Sequence, residues 1–254
     1  MLLEVINLSK HFGGVKAVND ITLSVGEHEL VSMIGPNGAG KTTFFNLISG
    51  VYPVTSGKVV FAGEEIQGLP LNRITHKGIA RTFQNIRLFK GLTVLENVLI
   101  SRDCNAQYNI FDSLFGTPKR HRIDNNNRDE CMTYLEQVGM ADYCNEFTDN
   151  LPYGLQRKVE LARALSVHPK LLLLDEPAAG LNPREVDDFI DLVHRLFVSN
   201  SYSIMIIEHR MAVVNKLSEY IYVLNFGEML AKGTPEEIQK NPEVIKAYIG
   251  EEES

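Results

Sequence analysis

The segment "GPNGAGKTT", Gly35 to Thr43, decides the fold of this 254-residue chain. It matches the pattern G-x-x-x-x-G-K-[ST], in which glycines let consecutive backbone N–H groups curl around phosphate oxygens. The preceding "ELVSMI" is a mostly apolar run typical of a buried strand, and "TTFFNLISG" has the pattern of a helix that stops at Gly50. Because a strand, a glycine-rich loop and a helix N-terminus follow one another, the segment predicts a binding site for nucleotide phosphates.

The residues of this loop supply both backbone and side-chain ligands. Lys41 carries a mobile positive charge for the β and γ phosphates, and the Thr42 hydroxyl can bind Mg²⁺. ATP and Mg²⁺ are therefore the predicted cofactors. The residues expected to contact the nucleotide are Gly35, Pro36, Asn37, Gly38, Ala39, Gly40, Lys41, Thr42 and Thr43.

Two acids follow a second apolar run, in "LLLLDE". Asp175 stands at the carboxyl end of this predicted strand, where doubly wound sheets bind their ligands, and it is expected to hold Mg²⁺. Glu176 is the natural group to orient or deprotonate an attacking water. The alternative is that two adjacent acids merely end the strand at the surface, which the phosphate loop makes the weaker interpretation.

A third strand, "YSIMIIEH", ends at His209. A histidine at a strand end is often structural. Here, however, Gly35, Asp175 and His209 all follow predicted parallel strands, whose carboxyl ends lie along one edge of a sheet. Gln84 in "IARTFQN" is a weaker candidate when taken alone, since most glutamines lie at the surface.

The other elements indicate an α/β chain. "ITLSV" and "KVVFAG" alternate as strands do, and "REVDDFIDLVHRLF" has helical spacing, so strand, helix and strand predict a parallel sheet. "YIYVLNFGEMLAKG" predicts a hairpin that turns near Gly227. After it, Thr234 and Glu237 predict a helix with a capping box.

The sequence becomes polar and rich in Asn between about Ser101 and Asn150. Within it, "RDECMTYLEQVGM" predicts a helix that ends at Gly139, which indicates a helical subdomain. The basic run "PKRHR", Pro118 to Arg122, is interpreted as a solvated loop.

Composition excludes several classes of protein. The net charge of −7, from 25 basic and 32 acidic residues, argues against a nucleic-acid partner. Cys104, Cys131 and Cys144 are odd in number and lack metal-ligand spacing, so reduced thiols are expected and structural zinc is disfavoured. No run of about 18 apolar residues occurs, and the first residues do not read as a secretory signal.

Together, the phosphate loop, the "TFQN" glutamine, "LLLLDEP" and the strand that ends in His resemble the ATPase subunits of ABC transporters. Over nearly the whole chain the sequence is most similar to the ATP-binding subunits of branched-chain amino-acid importers. This narrower resemblance rests on "FGGVKAVNDITLSV", "IARTFQNIRLFKGLTVLENVLI", "LDEPAAGLNP" and "GTPEEIQKNPEVIKAYIG".

The resemblance implies the architecture. It is an α/β P-loop NTPase with a mixed core sheet flanked by helices, an N-terminal antiparallel β portion and an inserted helical subdomain. Residues 1–84 and 155–254 would form the ATP-binding core. Residues 85–154 would form the helical subdomain with its signature segment.

The resemblance also assigns roles to matching residues. Lys41 would bind phosphate, Asp175 would serve Mg²⁺, Glu176 would act on the water, and His209 would contact the γ-phosphate. Gln84 would bind Mg²⁺ and act as the hinge that links the nucleotide to the helical subdomain and the permease.

Phe12 falls where the family stacks an aromatic ring on adenine. A core phenylalanine is an equally open interpretation of this residue.

The signature segment of the family, usually Leu-Ser-Gly-Gly-Gln, corresponds to "LPYGL". In the family, two ATPase subunits pack head to tail, and each signature contacts the ATP of its partner. The resemblance therefore implies that Leu151, Pro152, Tyr153 and Gly154 contact nucleotide.

This chain departs from the family pattern at three positions. Pro152 replaces the serine and offers neither a hydroxyl nor an N–H, Leu155 replaces the glutamine, and Asn182 stands where the family commonly has Asp. The importer branch that the chain resembles relaxes this segment in one of its two ATPase subunits, with Tyr at the second position. The resemblance therefore implies a heterodimer with a second, different ATPase whose own signature is more complete.

The resemblance implies a peripheral subunit on the cytoplasmic face of the cell membrane. Its partners would be the second ATPase, membrane permease subunits and, indirectly, an extracytoplasmic substrate-binding protein, but no nucleic acid. One alternative is a soluble ABC-type ATPase that is not linked to transport, and another is an importer of urea or a short amide. A sensor that binds nucleotide without turnover would lack the water-orienting acid, and Glu176 is present.

Overall fold

The computed structural model describes residues 1–103 and 118–252, apart from the side chains of residues 103, 118, 119 and 249–252. The chain divides into two compact units, residues 1–84 with 170–254 and residues 85–169. The second boundary follows Pro169 and not residue 154, because the helix Tyr153–Leu165 packs against the helices of the second unit. The signature helix is thus part of the helical unit.

The strands of the first unit form two sheets. They are β1 (Leu3–Phe12), β2 (Val15–Val25), β3 (Leu30–Ile34), β4 (Ser56–Phe61), β5 (Glu64–Glu65), β6 (Ile79–Arg81), β7 (Leu171–Asp175), β8 (Ser203–Ile207), β9 (Tyr220–Asn225) and β10 (Glu228–Gly233). One sheet is antiparallel in the order β2-β1-β4-β5. The other has the order β10-β9-β3-β8-β7-β6, in which only β10 is antiparallel to its neighbour. The predicted mixed sheet and antiparallel β portion are confirmed.

Helices are described in both units, and they include those predicted from the sequence. Those of the first unit are α1 (Lys41–Ile48), α2 (Leu71–Lys77), α6 (Pro183–Ser199), α7 (Met211–Leu217), α8 (Pro235–Lys240) and α9 (Pro242–Glu252). Those of the second unit are α3 (Val94–Asp103), α4 (Pro118–Gln137) and α5 (Tyr153–Leu165), with two short 3₁₀ turns at Ala141–Tyr143 and Thr148–Asn150. In the described ranges, no helix has the length and apolar character needed to span a membrane.

The core of the first unit lies around α1 and the central strands. Every residue of β3, β7 and β8 is buried, as expected for parallel strands that are covered on both faces. Phe44 and Phe45 of α1 are fully buried in the same apolar cluster as residues from both sheets. This packing fixes the position of the loop that precedes α1.

Two local predictions in the first unit are confirmed. β9 and β10 form a hairpin that turns at Phe226 and Gly227. The Thr234 side chain accepts a hydrogen bond from the Glu237 N–H, and the Glu237 carboxylate accepts one from the Thr234 N–H, at 2.8 Å. The hairpin and the capping box therefore form as their local sequences indicate.

The second unit corrects one prediction. The basic run that begins at Pro118 opens α4 and is not a loop. Proline is well accommodated in the first turn of a helix, and α4 buries Cys131, Leu135 and Val138, which outweighs the weak helix propensity of its Asn residues. Cys144 is half-buried, and Cys104 lies outside the described residues.

Candidate nucleotide-binding site

The loop between β3 and α1 closes tightly, and two glycines permit this. Gly35 and Gly40 have φ of 150° and 100°. A Cβ atom would lie 2.1 Å from the Leu224 carbonyl oxygen at Gly35 and 2.3 Å from the Ala17 carbonyl oxygen at Gly40. Any side chain at either position would force the loop away from its neighbouring backbone.

Lys41 begins α1 and points back into this loop. Its side chain is buried, and Nζ donates to the carbonyl oxygens of Gly35 at 2.7 Å and Pro36 at 2.8 Å. The ammonium group and the positive end of α1 therefore lie together at the loop, an arrangement that favours an anion. The adjacent Thr42 is exposed.

A cavity of about 440 Å³ lies against the loop. It is lined by Val15, Lys16, Ala17, Asn37, Gly38, Ala39, Gly40, Lys41, Thr42, Thr43, Gln84, Glu176 and Phe226. Four of the residues predicted from the sequence to act on ATP, namely Lys41, Thr42, Gln84 and Glu176, thus share one cavity.

Glu176 is held at this cavity by its backbone and by Gln84. The Gln84 Nε2 atom donates to Glu176 Oε2 at 2.7 Å, and the Glu176 N–H donates to the Ile207 carbonyl oxygen at 2.9 Å. Glu176 has φ of 46°, a conformation that costs a residue with a side chain about 1–3 kcal/mol. This unfavourable conformation occurs directly after β7, where it directs the Glu176 carboxylate toward the cavity.

Asp175 is buried, and its two oxygens have different surroundings. Oδ2 accepts a hydrogen bond from Arg81 Nη2 at 2.6 Å. Oδ1 is buried and has no hydrogen-bond partner among the described residues. The unpartnered carboxylate oxygen and the Thr42 hydroxyl are oxygen donors of the kind that Mg²⁺ takes, so the residues fit the predicted metal.

His209 follows β8 at the same edge of the sheet as the phosphate loop and Asp175, as the strand order requires. Its side chain is exposed and does not line the cavity. Its contact with the γ-phosphate stays a prediction.

Phe12 ends β1 at the surface. It is 44% exposed, packs edge-on against Tyr52 with 5.4 Å between ring centroids, and lies 5.0 Å from Lys10 Nζ. This position rules out a core role. Phe12 does not line the cavity, and adenine stacking stays a prediction.

The residues on each side of His209 fix the segment that follows Glu176. Glu208 is fully buried, and its carboxylate accepts hydrogen bonds from the N–H groups of Ala178 at 3.1 Å and His209 at 3.2 Å. Arg210 Nη2 donates to the Ala178 carbonyl oxygen. The backbone N–H and carbonyl oxygen of Ala178 are therefore both hydrogen-bonded by residues that follow β8.

Asn182, one of the departures from the family pattern, has a structural role. Its side-chain oxygen caps α6 by accepting from the N–H groups of Arg184 and Glu185, each at 3.1 Å. Asn and Asp are both strong N-cap residues, so the exchange keeps the helix start intact.

The signature segment opens α5 in the second unit. Pro152 is the N-cap residue, with φ of −54°, and Leu151 is buried. The Tyr153 hydroxyl accepts a hydrogen bond from Arg157 Nη2 at 3.0 Å, and Arg157 pairs with Glu160 at 3.0 Å in the interior. The predicted helix start is confirmed, and the Gly154 N–H lies in the first turn.

Sequence reasoning left several residues of the site unassigned. Arg81 is the last residue of β6 and Glu208 directly follows β8, and a charge at the carboxyl end of an apolar strand was the available signal. Phe226 had no such signal. It is 86% exposed in the turn between β9 and β10, with φ of 46°, and it lines the cavity.

The phosphate loop, the two acids at the end of β7 and the helical unit define a P-loop ATPase of the ABC type. The ABC transporter family profile matches residues 18–179, and a profile for the branched-chain amino acid ATP-binding cassette transporter matches residues 228–254. The chain belongs to the ABC transporter family of ATP-binding proteins.

Similarity to known proteins extends over nearly the full length of the chain and supports this assignment. The high-affinity branched-chain amino acid transport ATP-binding protein BraF of Pseudomonas aeruginosa is 47% identical over 98% of both chains. The corresponding protein LivG of Escherichia coli K12 is 44% identical over the same shares. The crystal structure of the ADP conformation of MJ1267, an ATP-binding cassette of an ABC transporter, superposes with a TM-score of 0.85, at 32% identity and 98% coverage of each chain.

Proposed function

We propose that this chain is the ATP-hydrolysing motor subunit of an ABC importer for branched-chain amino acids. The observation that carries the proposal is the single cavity shared by Lys41, Thr42, Gln84 and Glu176. The cargo is inferred from similarity to BraF and LivG, because an ATPase subunit does not contact the transported molecule.

The proposed roles combine the positions of the residues with the resemblance to the family. Lys41 and the N-terminus of α1 bind the β and γ phosphates, and the Glu176 carboxylate accepts a proton from the water that attacks the γ-phosphate. Thr42 and Asp175 Oδ1 would hold Mg²⁺, which neutralises phosphate charge when bound. The resemblance to the family further assigns His209 to the γ-phosphate and Phe12 to adenine, although neither side chain lines the cavity.

Gln84 connects the chemistry to the remainder of the chain. It hydrogen-bonds Glu176 and is the last residue of the first unit before the helical unit begins. A change in the contacts of Gln84 on hydrolysis would therefore be passed to residues 85–169, which we propose transmit it to permease subunits. The chain would work at the cytoplasmic face of the membrane, with an extracytoplasmic protein supplying the cargo.

Coupling to a permease predicts that ATP turnover depends on assembly. Purified chain should hydrolyse ATP slowly, and turnover should rise severalfold when it is reconstituted with the permease subunits and second ATPase of its transport system. Colorimetric phosphate release would measure both states. Fast turnover by the isolated chain that partners do not change would contradict the coupling.

The second ATPase is proposed because the signature segment is incomplete. Pro152 cannot donate a hydrogen bond to a partner's γ-phosphate, and hydrogen bonds to charged groups are worth about 1.5–3 kcal/mol each. The Gly154 N–H and the N-terminus of α5 still favour an anion. This chain would therefore pair with a different ATPase in preference to itself.

Restoring the serine should strengthen self-association. In a Glu176→Gln background with ATP and Mg²⁺, Pro152→Ser is expected to tighten homodimer formation by about 10²–10⁴-fold, the equivalent of one charged hydrogen bond at each of the two ATP sites of the homodimer. Sedimentation velocity would measure the dissociation constant. Pro152→Ala is the control that removes the ring without adding a hydroxyl. Equal tightening by Pro152→Ala, or a parent chain that already dimerises as tightly as Pro152→Ser, would contradict the proposal.

A further inference from the structure

Arg81 is a buried cation at the junction of the elements that form the site. It ends β6, which lies beside β7 with Arg81 opposite Leu173. Its side chain is 4% exposed and that of Asp175 is 2% exposed, and the ion pair between them measures 2.6 Å. A buried pair at this distance fixes both side chains, because separating them would leave two charges in the interior without compensation.

The guanidinium of Arg81 is also fixed from α1, the helix that begins with Lys41. Nη1 donates to Asn46 Oδ1 at 2.8 Å and to Ser49 Oγ at 3.0 Å. The rings of Phe45 and Phe83 lie 5.6 and 4.9 Å from the guanidinium carbon, within the range of cation–π attraction. Arg81 therefore joins the phosphate-binding helix to the strand that carries Asp175.

In this arrangement, one carboxylate oxygen of Asp175 is hydrogen-bonded to Arg81 and the other can bind a further group. Oδ2 is bound to Arg81, whereas Oδ1 is buried and has no hydrogen-bond partner within residues 1–103 and 118–252. A buried carboxylate oxygen without a partner is unfavourable and points to a group that pairs with it in the working protein. The cation or hydrated cation that accompanies ATP has the required charge.

We propose that Arg81 is a positioning residue for the metal site: it holds Asp175 through Oδ2 so that Oδ1 faces the Mg²⁺ that accompanies ATP. The proposal rests on the proposed ATPase function. It makes Arg81 act through Asp175 and not on the nucleotide itself. Ligand orientation by such supporting residues typically contributes about 10–100-fold to metal affinity.

The test uses Arg81→Lys, which keeps the positive charge but cannot bind Asp175, Asn46 and Ser49 together. In full-length chain carrying Glu176→Gln, Mn²⁺ binding in the presence of ATP is followed by electron paramagnetic resonance, and ATP affinity is measured separately in EDTA. We expect Mn²⁺ affinity to fall by about tenfold and metal-free ATP affinity to stay nearly unchanged. Arg73→Lys, an exposed arginine of the same unit, is the matched control and should change neither value.

Four outcomes would overturn the proposal. Unchanged Mn²⁺ affinity would remove the positioning role, and higher Mn²⁺ affinity would mean that Arg81 competes with the metal for Asp175. If the affinity for Mn²⁺ and the affinity for ATP in EDTA fell equally, Arg81 would support only the fold. If Arg81→Lys fails to fold, Asn46→Ala and Ser49→Ala are used in its place, and each should lower Mn²⁺ affinity. If neither variant lowers Mn²⁺ affinity, the proposal is overturned. Absence of ATP binding by the Glu176→Gln parent chain would instead refute the proposed function.

Discussion

Replacing Glu176 with Gln is expected to lower ATP turnover by about 10²–10⁴-fold, the contribution typical of a general base, while ATP affinity is retained. The amide has nearly the same shape as the carboxylate and can still hydrogen-bond Gln84, which donates to Glu176 Oε2 at 2.7 Å. It cannot accept a proton from water. Phosphate release would measure turnover, and the quenching of a fluorescent ATP analogue would measure binding.

Glu236→Gln is the matched control for this experiment. Glu236 is exposed in α8, away from the cavity, and its substitution makes the same chemical change and the same change in net charge. It should leave turnover unchanged. If Glu176→Gln retained most of the parent turnover, another group would have to activate the water, and the assignment of Glu176 would be wrong.

The second large effect is expected for Lys41→Ala, which should weaken ATP binding by about 10–100-fold. Lys41 is the buried cation inside the phosphate loop, and it contributes charged hydrogen bonds to the β and γ phosphates in the proposed complex. Isothermal titration calorimetry in the Glu176→Gln background would measure the loss without interference from hydrolysis.

AMP provides an internal control, because it lacks the phosphates that Lys41 is proposed to bind. Its affinity should change much less than that of ATP in the Lys41→Ala protein. Lys58→Ala, at an exposed lysine paired with Glu65, is the control on the protein side and should affect neither nucleotide. Equal losses for ATP and AMP would show that the substitution distorts the loop instead of removing a phosphate ligand.

The parts of the site that the sequence predicts are those encoded by short, local patterns. The loop from Gly35 to Thr43 carries its own strand, turn and helix signals, and "LLLLDE" carries a strand and two acids. Parallel strands end at the same edge of their sheet, so the parallel arrangement predicts that Asp175 and the phosphate loop lie at one sheet edge, as they do. Capping boxes such as Thr234 with Glu237 are equally local.

The parts that the sequence does not predict depend on contacts between distant segments. Arg81 has a local signal, a charge at the end of an apolar strand, but its partner Asp175 lies 94 residues away along the chain, so the ion pair could not be predicted. The assignment of Tyr153–Leu165 to the helical unit depends on packing against α3 and α4, which no local pattern records. Likewise, α4 tolerates several Asn residues because it buries Leu135 and its neighbours, and propensity alone favours a later start.

The central claim is that hydrolysis at Glu176 drives amino-acid import. The most direct test is the uptake of labelled leucine by membrane vesicles that contain the permease subunits, the second ATPase and this chain, with ATP on the side of the ATPases and the substrate-binding protein opposite. We predict that leucine accumulates with the parent chain, and that accumulation is lost with Glu176→Gln and restored by the parent sequence. Leucine accumulation that is unaffected by Glu176→Gln would contradict the claim.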